Sequence, residues 1–362
     1  MSDVKKYVAS WLHNAKFYSL DDVDDAWANP DWARMMINEC PLPPSKKIID
    51  AIAEAAIKGN RYPGSKLELR KKIADLHGLT PEQVILGNGS SELIDAMMRV
   101  FVTPGDEVII SEPTFSMYQV RVTVAGGKAV AVPMTPELEY DTDAILKAVT
   151  DRTKVIIVCN PNNPTGNFIP DEDLLRIVNT GVPIFLDEAY LEFYPDKGSK
   201  SYLIKDHPNV LCSHTFSKAF GLAGVRFGYM LGAKEIIDIF QKVVITWNNN
   251  FMTLAAVEAL LDNPDEAALK RDFNNKYVRF FVDELSKIPG VRPYFSHGNY
   301  VLVDATDAGF ESKQIVNAAL KEKFQIKPMG ALHGRKGFFR ITIGTADENE
   351  HLMAFLSKFL RK

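Results

Sequence analysis

Residues 213–226 read SHTFSKAFGLAGVR, a polar, glycine-containing stretch between two short apolar runs. Outward from it, further apolar runs alternate with stretches of helical spacing, from residue 84 to residue 231. Several of these runs are apolar on both faces, which is typical of strands buried between two layers of helices. The alternation predicts an α/β fold with a mainly parallel sheet between helices. The seven predicted strands cover residues 84–86, 108–110, 129–132, 155–158, 184–186, 210–211 and 227–231.

The pattern changes after about residue 232, as expected for a second domain in a chain of 362 residues. A helical region is predicted over 236–287, with breaks near 248 and 264. Strands over 300–303, 325–326 and 338–343 and a helix over 348–360 follow, which predicts a smaller α+β C-terminal domain. We expect a large domain over residues 44–245, with helices at 46–58 and 66–77, and a small domain over 246–362. An N-terminal arm, residues 1–43, is expected to pack with the small domain.

The first forty residues have an irregular pattern rich in Asp and Trp. Two interpretations are open. The segment is either a solvated acidic arm anchored by Trp27 and Trp32, or a lid over a functional site. The acidic residues are Asp21, Asp22, Asp24 and Asp25.

The composition argues against several classes of function. The chain is 46% hydrophobic and 24% charged, and its formal net charge of −4 gives no reason to expect nucleic acid or an anionic membrane as a partner. No apolar run approaches the roughly 20 residues of a membrane span, and we expect no signal peptide. The seven histidines lack metal-site spacing, and Cys40, Cys159 and Cys212 form no CxxC pair. We expect a cytoplasmic protein with free thiols and no metal.

Lys218 lies at the centre of the quoted stretch, with hydroxyl groups at Thr215 and Ser217 and with Arg226 eight positions on. A lysine amine forms a Schiff base with an aldehyde, and hydroxyls together with a guanidinium bind a phosphate dianion. A Ser-Lys pair alone usually marks an ordinary surface loop, but the extended run is much more specific. It predicts a site for an aldehyde cofactor that carries a phosphate.

Polar side chains also follow two other predicted strands. Asp187 ends one strand and Tyr190 follows it, while Asn163 lies in the loop NPNNPTG, residues 160–166. Ligands in open α/β sheets bind beyond the carboxyl ends of the strands. Asp187 suits a protonated ring nitrogen, and Tyr190 and Asn163 suit an oxygen on the same ring. Taken alone, Asp187 is better explained as a helix N-cap, and a structural turn explains the loop equally well.

Three more segments contain candidate ligand-binding residues. The turn GNGSSE, residues 87–92, leads into a helix, so Ser90 and Ser91 lie where helix N-termini bind anions. It matches neither a dinucleotide-binding fingerprint nor a P-loop. Phe115 can stack on a cofactor ring, although a core phenylalanine is the commoner explanation. Arg340 lies within an otherwise apolar strand, where its partner is either a substrate carboxylate or an internal acid.

Taken together and in this order, these segments resemble fold type I pyridoxal 5′-phosphate (PLP) enzymes, the class I and II aminotransferases, and within them the histidinol-phosphate aminotransferase-like branch. The resemblance runs from about residue 38 to the C-terminus, and its six motifs are individually moderate and jointly strong. It implies the PLP-transferase fold type I with PLP as cofactor. It also implies an aminotransferase that moves an amino group between an amino acid, or an amino-alcohol phosphate, and a 2-oxo acid through a pyridoxamine phosphate intermediate.

The resemblance further implies roles for the matching residues. Lys218 forms the Schiff base and then shuttles the proton, and Asp187 pairs with the pyridine nitrogen. Tyr190 and Asn163 hold the 3′ oxygen, and Phe115 stacks on the ring. The residues implied around the cofactor phosphate are Ser90, Ser91, Thr215, Ser217 and Arg226.

Two implied roles concern the substrate and a second subunit. Arg340 matches the arginine that binds the substrate α-carboxylate. Tyr62 matches a tyrosine that reaches the cofactor phosphate of the neighbouring subunit, which implies a homodimer with active sites at the interface. The small-molecule partners implied are an amino donor and a 2-oxo acid acceptor.

Departures from the family pattern cluster where substrate is recognised. Lys327 stands where the histidinol-phosphate branch uses an arginine for the substrate phosphate. The segment TWNNNF, residues 246–251, replaces a more apolar stretch that contains proline, and the family's Asn-Glu-Asn-Pro reads NECP at 38–41. The amino donor is therefore open. The candidate pocket residues are Lys327, Trp27, Trp32, Trp247 and Asn249.

Two other functions share these residues. A PLP-dependent decarboxylase acting on a phosphorylated amino acid, or a lyase or racemase, uses the same Lys, Asp and Tyr set, because fold does not fix the reaction type. Arg340 favours a carboxylate that is held rather than lost. A PLP-binding sensor domain of a regulator is disfavoured, since no basic DNA-binding segment is present in the sequence.

Overall fold

The computed structural model describes residues 4–16 and 19–361. Residues 1–3 and 17–18 of the predicted arm and residue 362 of the predicted small domain lie outside the described residues. The strands are β1 Ala33–Met35, β2 Val84–Gly87, β3 Glu107–Glu112, β4 Lys128–Pro133, β5 Thr153–Cys159, β6 Ile184–Asp187, β7 Val210–Thr215, β8 Gly228–Leu231, β9 Arg292–Tyr294, β10 Tyr300–Asp304, β11 Phe324–Leu332 and β12 Arg335–Thr342. The α-helices are α1 Asp21–Ala28, α2 Lys46–Ala56, α3 Leu67–Leu76, α4 Ser90–Phe101, α5 Met117–Val124, α6 Thr142–Lys147, α7 Asp171–Val178, α8 Lys234–Val243, α9 Phe251–Leu261, α10 Pro264–Leu285, α11 Ser312–Lys321 and α12 Ala346–Phe359.

The larger sheet of the described chain has seven strands in the order β2-β8-β7-β6-β5-β3-β4. β8 is antiparallel to both of its neighbours, and the other pairs are parallel. Alternate residues of the central strands enter two different apolar clusters, so both faces of the sheet are covered. Burial on both faces explains why these strands are apolar throughout. The predicted seven-stranded, mainly parallel sheet is confirmed.

A second sheet has the order β1-β11-β12-β10-β9 and its own apolar cluster with α10 and α12. Its longest strand, β11, has nine residues, although the sequence predicts only 325–326 as strand. The second half of β11 is extended by a tight turn to β12, in which His333 and Gly334 both have positive φ. Pairing with β12 outweighs the weak strand preference of Pro328 and Gly330.

The N-terminal segment is more regular than its sequence pattern predicts, because it forms α1 and β1. Asp21, Asp22 and Asp24 lie in the first turn of α1, where negative charge stabilises the helix dipole. β1 pairs in parallel with β11, with Ala33 opposite Phe324. The division of the chain at residues 43 and 245 stays a prediction.

The helices after residue 232 break where the sequence predicts. α10 begins with Pro264 at a position where its missing N–H costs nothing. The Asn250 side chain accepts a hydrogen bond from Thr253 N and begins α9. α12 begins two residues before its predicted start, because Thr345 and Glu348 form a capping box.

Candidate active site

The segments after the carboxyl ends of β2, β3, β5, β6 and β7 meet at one edge of the large sheet and line a cavity of about 320 Å³. The hairpin β11–β12 of the second sheet closes the cavity on its other side. Parallel strands place their carboxyl ends together, so residues distant in sequence converge here. Twelve predicted site residues line this cavity: Ser90, Ser91, Phe115, Asn163, Asp187, Tyr190, Thr215, Ser217, Lys218, Arg226, Lys327 and Arg340.

Lys218 projects into the cavity from the loop after β7. Its Nζ donates hydrogen bonds to the carbonyl oxygens of Asn38, at 3.0 Å, and Ile37, at 3.3 Å. Burial, together with the nearby Arg340 cation, lowers the pKa of Lys218 to about 8. At pH 7 about a tenth of this amine is therefore uncharged, far more than for an ordinary lysine, and only the uncharged form acts as a nucleophile or base.

Asp187 ends β6 and is 3% exposed. One carboxylate oxygen accepts from Tyr118 Oη at 2.7 Å, and the other accepts from Ala189 N at 3.1 Å. Burial raises the pKa of Asp187 to about 6 in spite of these hydrogen bonds. No described α-helix begins at this residue, so a helix N-cap does not explain it. A cationic group placed beside this buried carboxylate would favour its charged form.

Tyr190 lies opposite Lys218 in the cavity wall. Its hydroxyl accepts a hydrogen bond from Asn38 Nδ2 at 2.8 Å, and Asn38 Oδ1 accepts one from Thr342 Oγ1 at 2.9 Å. Asn38 has a φ of 58°, which asparagine tolerates better than most residues. The chain before α2 therefore holds both Tyr190, by its side chain, and Lys218, by its carbonyl.

Arg340 is 8% exposed and points from β12 into the cavity. Its Nη1 donates to Asn163 Oδ1 at 2.6 Å, and its Nη2 donates to the carbonyl of Met36. Arg340 also pairs directly with Lys327 across the β11–β12 ladder, which places two cations side by side. Like charges opposite each other on neighbouring strands repel, and an anion between them removes that cost.

Hydroxyls, an arginine and a helix N-terminus meet at one part of the cavity wall. Thr215 Oγ1 donates to Ser217 Oγ at 3.0 Å, and Arg226 Nη1 donates to the same oxygen at 3.3 Å. α4 begins at Ser90, and the preceding Gly89 has a φ of 74°. A Cβ at Gly89 would collide with the Arg226 guanidinium. This small, donor-rich space has the chemistry of a phosphate site.

At the cavity wall, Lys327 Nζ lies 3.1 Å from Asp22 Oδ2 of α1. The backbone carbonyl of Asp22 also accepts a hydrogen bond from Gln325 Nε2 at 2.8 Å. Asp22 therefore connects the acidic segment to the cavity wall, while Asp21, Asp22, Asp24 and Asp25 are all exposed to solvent.

Several predicted site residues do not line the cavity. Tyr62 and Trp247 stack on each other at the surface, with ring centroids 4.2 Å apart. Asn249 is buried away from the cavity. Its amide nitrogen donates to Gly87 O at 3.0 Å, and its amide oxygen accepts from Lys66 Nζ. Trp27 packs under the Arg34 guanidinium and is 73% exposed. The structure thus gives no support to Trp27, Trp32, Trp247 or Asn249 as pocket residues of the same subunit.

Twelve residues that line the cavity escaped the sequence analysis as site residues, and two of them, Tyr118 and Asn38, contact predicted site residues through their side chains. Tyr118 donates to Asp187, and its position three residues after Phe115 at the start of α5 was the available signal. Asn38 belongs to the NECP segment, which resembles a family motif. Both contacts join residues more than 60 positions apart, so spacing alone does not reveal them.

Within residues 4–16 and 19–361, no group of three or more His, Cys, Asp or Glu side chains is placed to hold a metal ion. No helix in this same part of the chain is long and apolar enough to cross a membrane.

Comparisons with known proteins agree with this geometry. The family model "Aminotransferase class I and II" matches residues 30–356. Histidinol-phosphate aminotransferase 2 of Hydrogenovibrio crunogenus is 35% identical over 339 residues, which cover 91% of this chain and 88% of the relative. The histidinol-phosphate aminotransferase of Anaeromyxobacter sp. is 34% identical over 363 residues, 99% of each chain.

Solved structures of aminotransferases also match the fold of this chain. The crystal structure of histidinol-phosphate aminotransferase from Sinorhizobium meliloti, in complex with pyridoxal-5′-phosphate, superimposes with a TM-score of 0.87 at 25% identity, covering 98% of this chain and 97% of that chain. An aspartate aminotransferase variant of Thermus thermophilus shares the fold, with a TM-score of 0.82 at 22% identity. The predicted PLP-transferase fold type I is confirmed. The chain belongs to the aminotransferase class I and II family.

Proposed function

We propose that the cavity holds PLP through the residues that converge on it, with Lys218 as the attachment point. The observation that carries this proposal is the arrangement of three complementary groups around one space. A lysine of lowered pKa lines the same cavity as a buried carboxylate, Asp187, and the donor-rich phosphate space at Ser90 and Arg226. PLP presents an aldehyde, a protonated ring nitrogen and a phosphate, so the residues fit it group by group.

As a member of its family, the chain is a PLP-dependent aminotransferase that moves an amino group between an amino compound and a 2-oxo acid. When bound, PLP supplies an aldehyde that reacts with amines and a ring that withdraws electrons from the substrate α-carbon. Asp187 keeps the ring nitrogen protonated. Tyr190 and Asn163 would hold the ring oxygen, and Phe115 would contact the ring.

Lys218 also acts as the acid and base of the reaction in this proposal. Its neutral Nζ accepts the proton from the substrate α-carbon and later releases it. Arg340 holds the substrate α-carboxylate with its planar guanidinium, and Asn163 orients the Arg340 Nη1. A held carboxylate favours transamination over decarboxylation, because the carboxylate stays bound through the step.

The amino donor in this proposal carries a phosphate next to Lys327 and Arg340. These two cations lie opposite each other on β11 and β12, so a single phosphate dianion compensates both, and the donor needs no α-carboxylate. The curated relatives quoted above are named for histidinol phosphate, an amino-alcohol phosphate, which is consistent with a phosphorylated donor. Such a donor must displace Asp22 from Lys327.

Replacing Lys327 by alanine is expected to raise the KM for a phosphorylated donor by roughly 10- to 100-fold, because hydrogen bonds to charged groups contribute about 1.5–3 kcal/mol. The test measures single-turnover loss of the visible absorbance of the bound cofactor with histidinol phosphate and with unphosphorylated amino acids. Lys323→Ala, which breaks a similar exposed ion pair with Asp31, is the matched control and is expected to keep the wild-type KM. If wild-type protein reacts with no amino compound, the proposed function is wrong.

We further propose a cytoplasmic homodimer in which Tyr62 reaches the partner subunit's cofactor phosphate. Tyr62 is 75% exposed and Trp247 is 53% exposed, yet the two rings stack at an interplanar angle of 22°. A stacked aromatic pair this exposed is typical of an interface anchor. The cysteines are free thiols, which suits a reducing compartment.

Tyr62→Ala is expected to weaken PLP binding by about tenfold, since it removes one hydrogen bond to a charged phosphate. Mixing Tyr62→Ala with inactive Lys218→Ala subunits then tests the dimer directly at limiting PLP. A shared site predicts that hybrid dimers regain activity, because one of their two sites has both residues intact. No regain after confirmed subunit exchange contradicts the proposal. Tyr202→Ala, at another exposed tyrosine, is the control for PLP affinity.

A further inference from the structure

A buried histidine lies directly behind the candidate cofactor site. His214 is on β7, beside Thr215, and is 1% exposed. Its Nδ1 lies 2.8 Å from Glu192 Oε1, and its Nε2 lies 3.1 Å from Glu188 Oε2. Both glutamates belong to the segment 187–192, which starts at the last residue of β6 and also contains Asp187 and Tyr190. The imidazole therefore ties this segment to the strand that leads to Lys218.

The surroundings of His214 keep it charged. Glu188 is fully buried and also accepts hydrogen bonds from Ser199 Oγ, at 2.5 Å, and Lys200 N, at 2.9 Å. Burial opposes a charged imidazole, but the two carboxylates outweigh it and raise the pKa of His214 to about 10.

The other titratable groups packed against His214 are neutral. Tyr229 of β8 stacks on its ring at 4.8 Å, and burial raises the pKa of this phenol well above its usual value. The ring of His77 lies 5.0 Å away, and burial, with His214 itself, lowers the pKa of His77 to about 3. Burial likewise raises the pKa of the Cys212 thiol. His214 is therefore the cation that compensates both glutamates.

We propose that His214 is a positioning residue of the cofactor site, which clamps the Asp187–Tyr190 segment to β7 and neutralises the carboxylate next to Asp187. This inference rests on the proposed function, because it assigns His214 a task toward PLP through Asp187. Removing the cation leaves Glu188 buried, uncompensated and adjacent in sequence to Asp187. The added negative charge favours protonation of Asp187, and a protonated Asp187 no longer pairs with a ring nitrogen cation.

His214→Gln and His214→Arg separate charge from packing. We expect His214→Gln to raise the Kd for PLP by about tenfold or more, which corresponds to one pKa unit at Asp187. The pH midpoint of the visible absorbance of the bound cofactor is expected to shift in the same variant. His214→Arg keeps the cation and is expected to recover most of the PLP affinity. His77→Gln, at the neutral neighbouring histidine, is the matched control and is expected to bind PLP within about twofold of wild type.

Three outcomes overturn the proposal. The first is a His214→Gln variant with the PLP affinity and pH midpoint of wild type. The second is a folded His214→Arg variant that binds PLP no better than His214→Gln. The third is a loss of PLP affinity in His77→Gln equal to that in His214→Gln. Should His214→Gln fail to fold, ¹⁵N-histidine NMR of wild type tests the charge. The resonance missing from His214→Arg must be an imidazolium at pH 8.5, and a neutral imidazole there contradicts the clamp. Failure of wild-type protein to bind PLP instead contradicts the proposed function itself.

Discussion

Replacing Lys218 by alanine is expected to lower kcat by at least about 10⁴-fold, because one residue supplies both the attachment point and the proton transfer. The lowered pKa of Lys218, about 8, is the physical basis of both roles. The variant is expected to keep PLP in the cavity, since the phosphate space and Asp187 remain. The measurement compares steady-state rates of wild type and variant at saturating cofactor, together with the visible spectrum of each.

Two controls make the Lys218 result specific. Lys218→Arg keeps a cation that cannot deprotonate in a protein, so it is expected to be as inactive as Lys218→Ala. A small external amine is expected to recover part of the Lys218→Ala rate, because truncation leaves room for a base in the cavity. An alanine variant that retains more than a few per cent of wild-type kcat contradicts the assignment.

Replacing Lys270 by methionine is expected to lower the free energy of unfolding by about 3–5 kcal/mol, since it leaves a buried carboxylate without its cation. Lys270 is 3% exposed, and its Nζ lies 2.7 Å from Glu266 Oε1. The same Nζ donates to Phe220 O at 3.1 Å, two residues after Lys218. The pair therefore joins α10 to the loop that carries the cofactor lysine.

Urea unfolding of the cofactor-free protein measures this effect. Lys287→Met is the matched control, because its ion pair with Glu284 is solvent-exposed and exposed pairs contribute about 0–1 kcal/mol. The double variant Lys270→Met, Glu266→Leu is expected to recover most of the lost stability, because it removes both charges from the interior. If Lys270→Met unfolds at the same urea concentration as Lys287→Met, the buried pair does not make the proposed contribution to the free energy of unfolding.

The sequence predicts the large sheet and half of the residues that line the cavity, because these depend on local signals. Strands buried on both faces are apolar, and the polar residues that follow them, such as Asp187 and Lys218, must collect at one sheet edge. The second half of β11 lacks such a signal, since Pro328 and Gly330 disfavour a strand and only pairing with β12 creates one.

Contacts between distant segments could not be predicted from spacing. Tyr118 meets Asp187 and Asp22 meets Lys327 only after the chain has folded. By residue type, Trp247 and Asn249 suit a substrate pocket. The turn before α4 uses the Asn249 amide, however, and Trp247 stacks on Tyr62 at the surface. The tertiary structure, and not the residue type, decides these roles.

Chemical reduction followed by peptide mapping tests the central claim most directly. Wild-type protein loaded with PLP is treated with borohydride, which makes the bond between the cofactor and an amine permanent, and the digested peptides are analysed by mass spectrometry. The account predicts that the pyridoxyl group is found on Lys218, in the peptide that contains residues 213–226, and on no other lysine at comparable yield. Modification of a different lysine, or none at Lys218, contradicts the account.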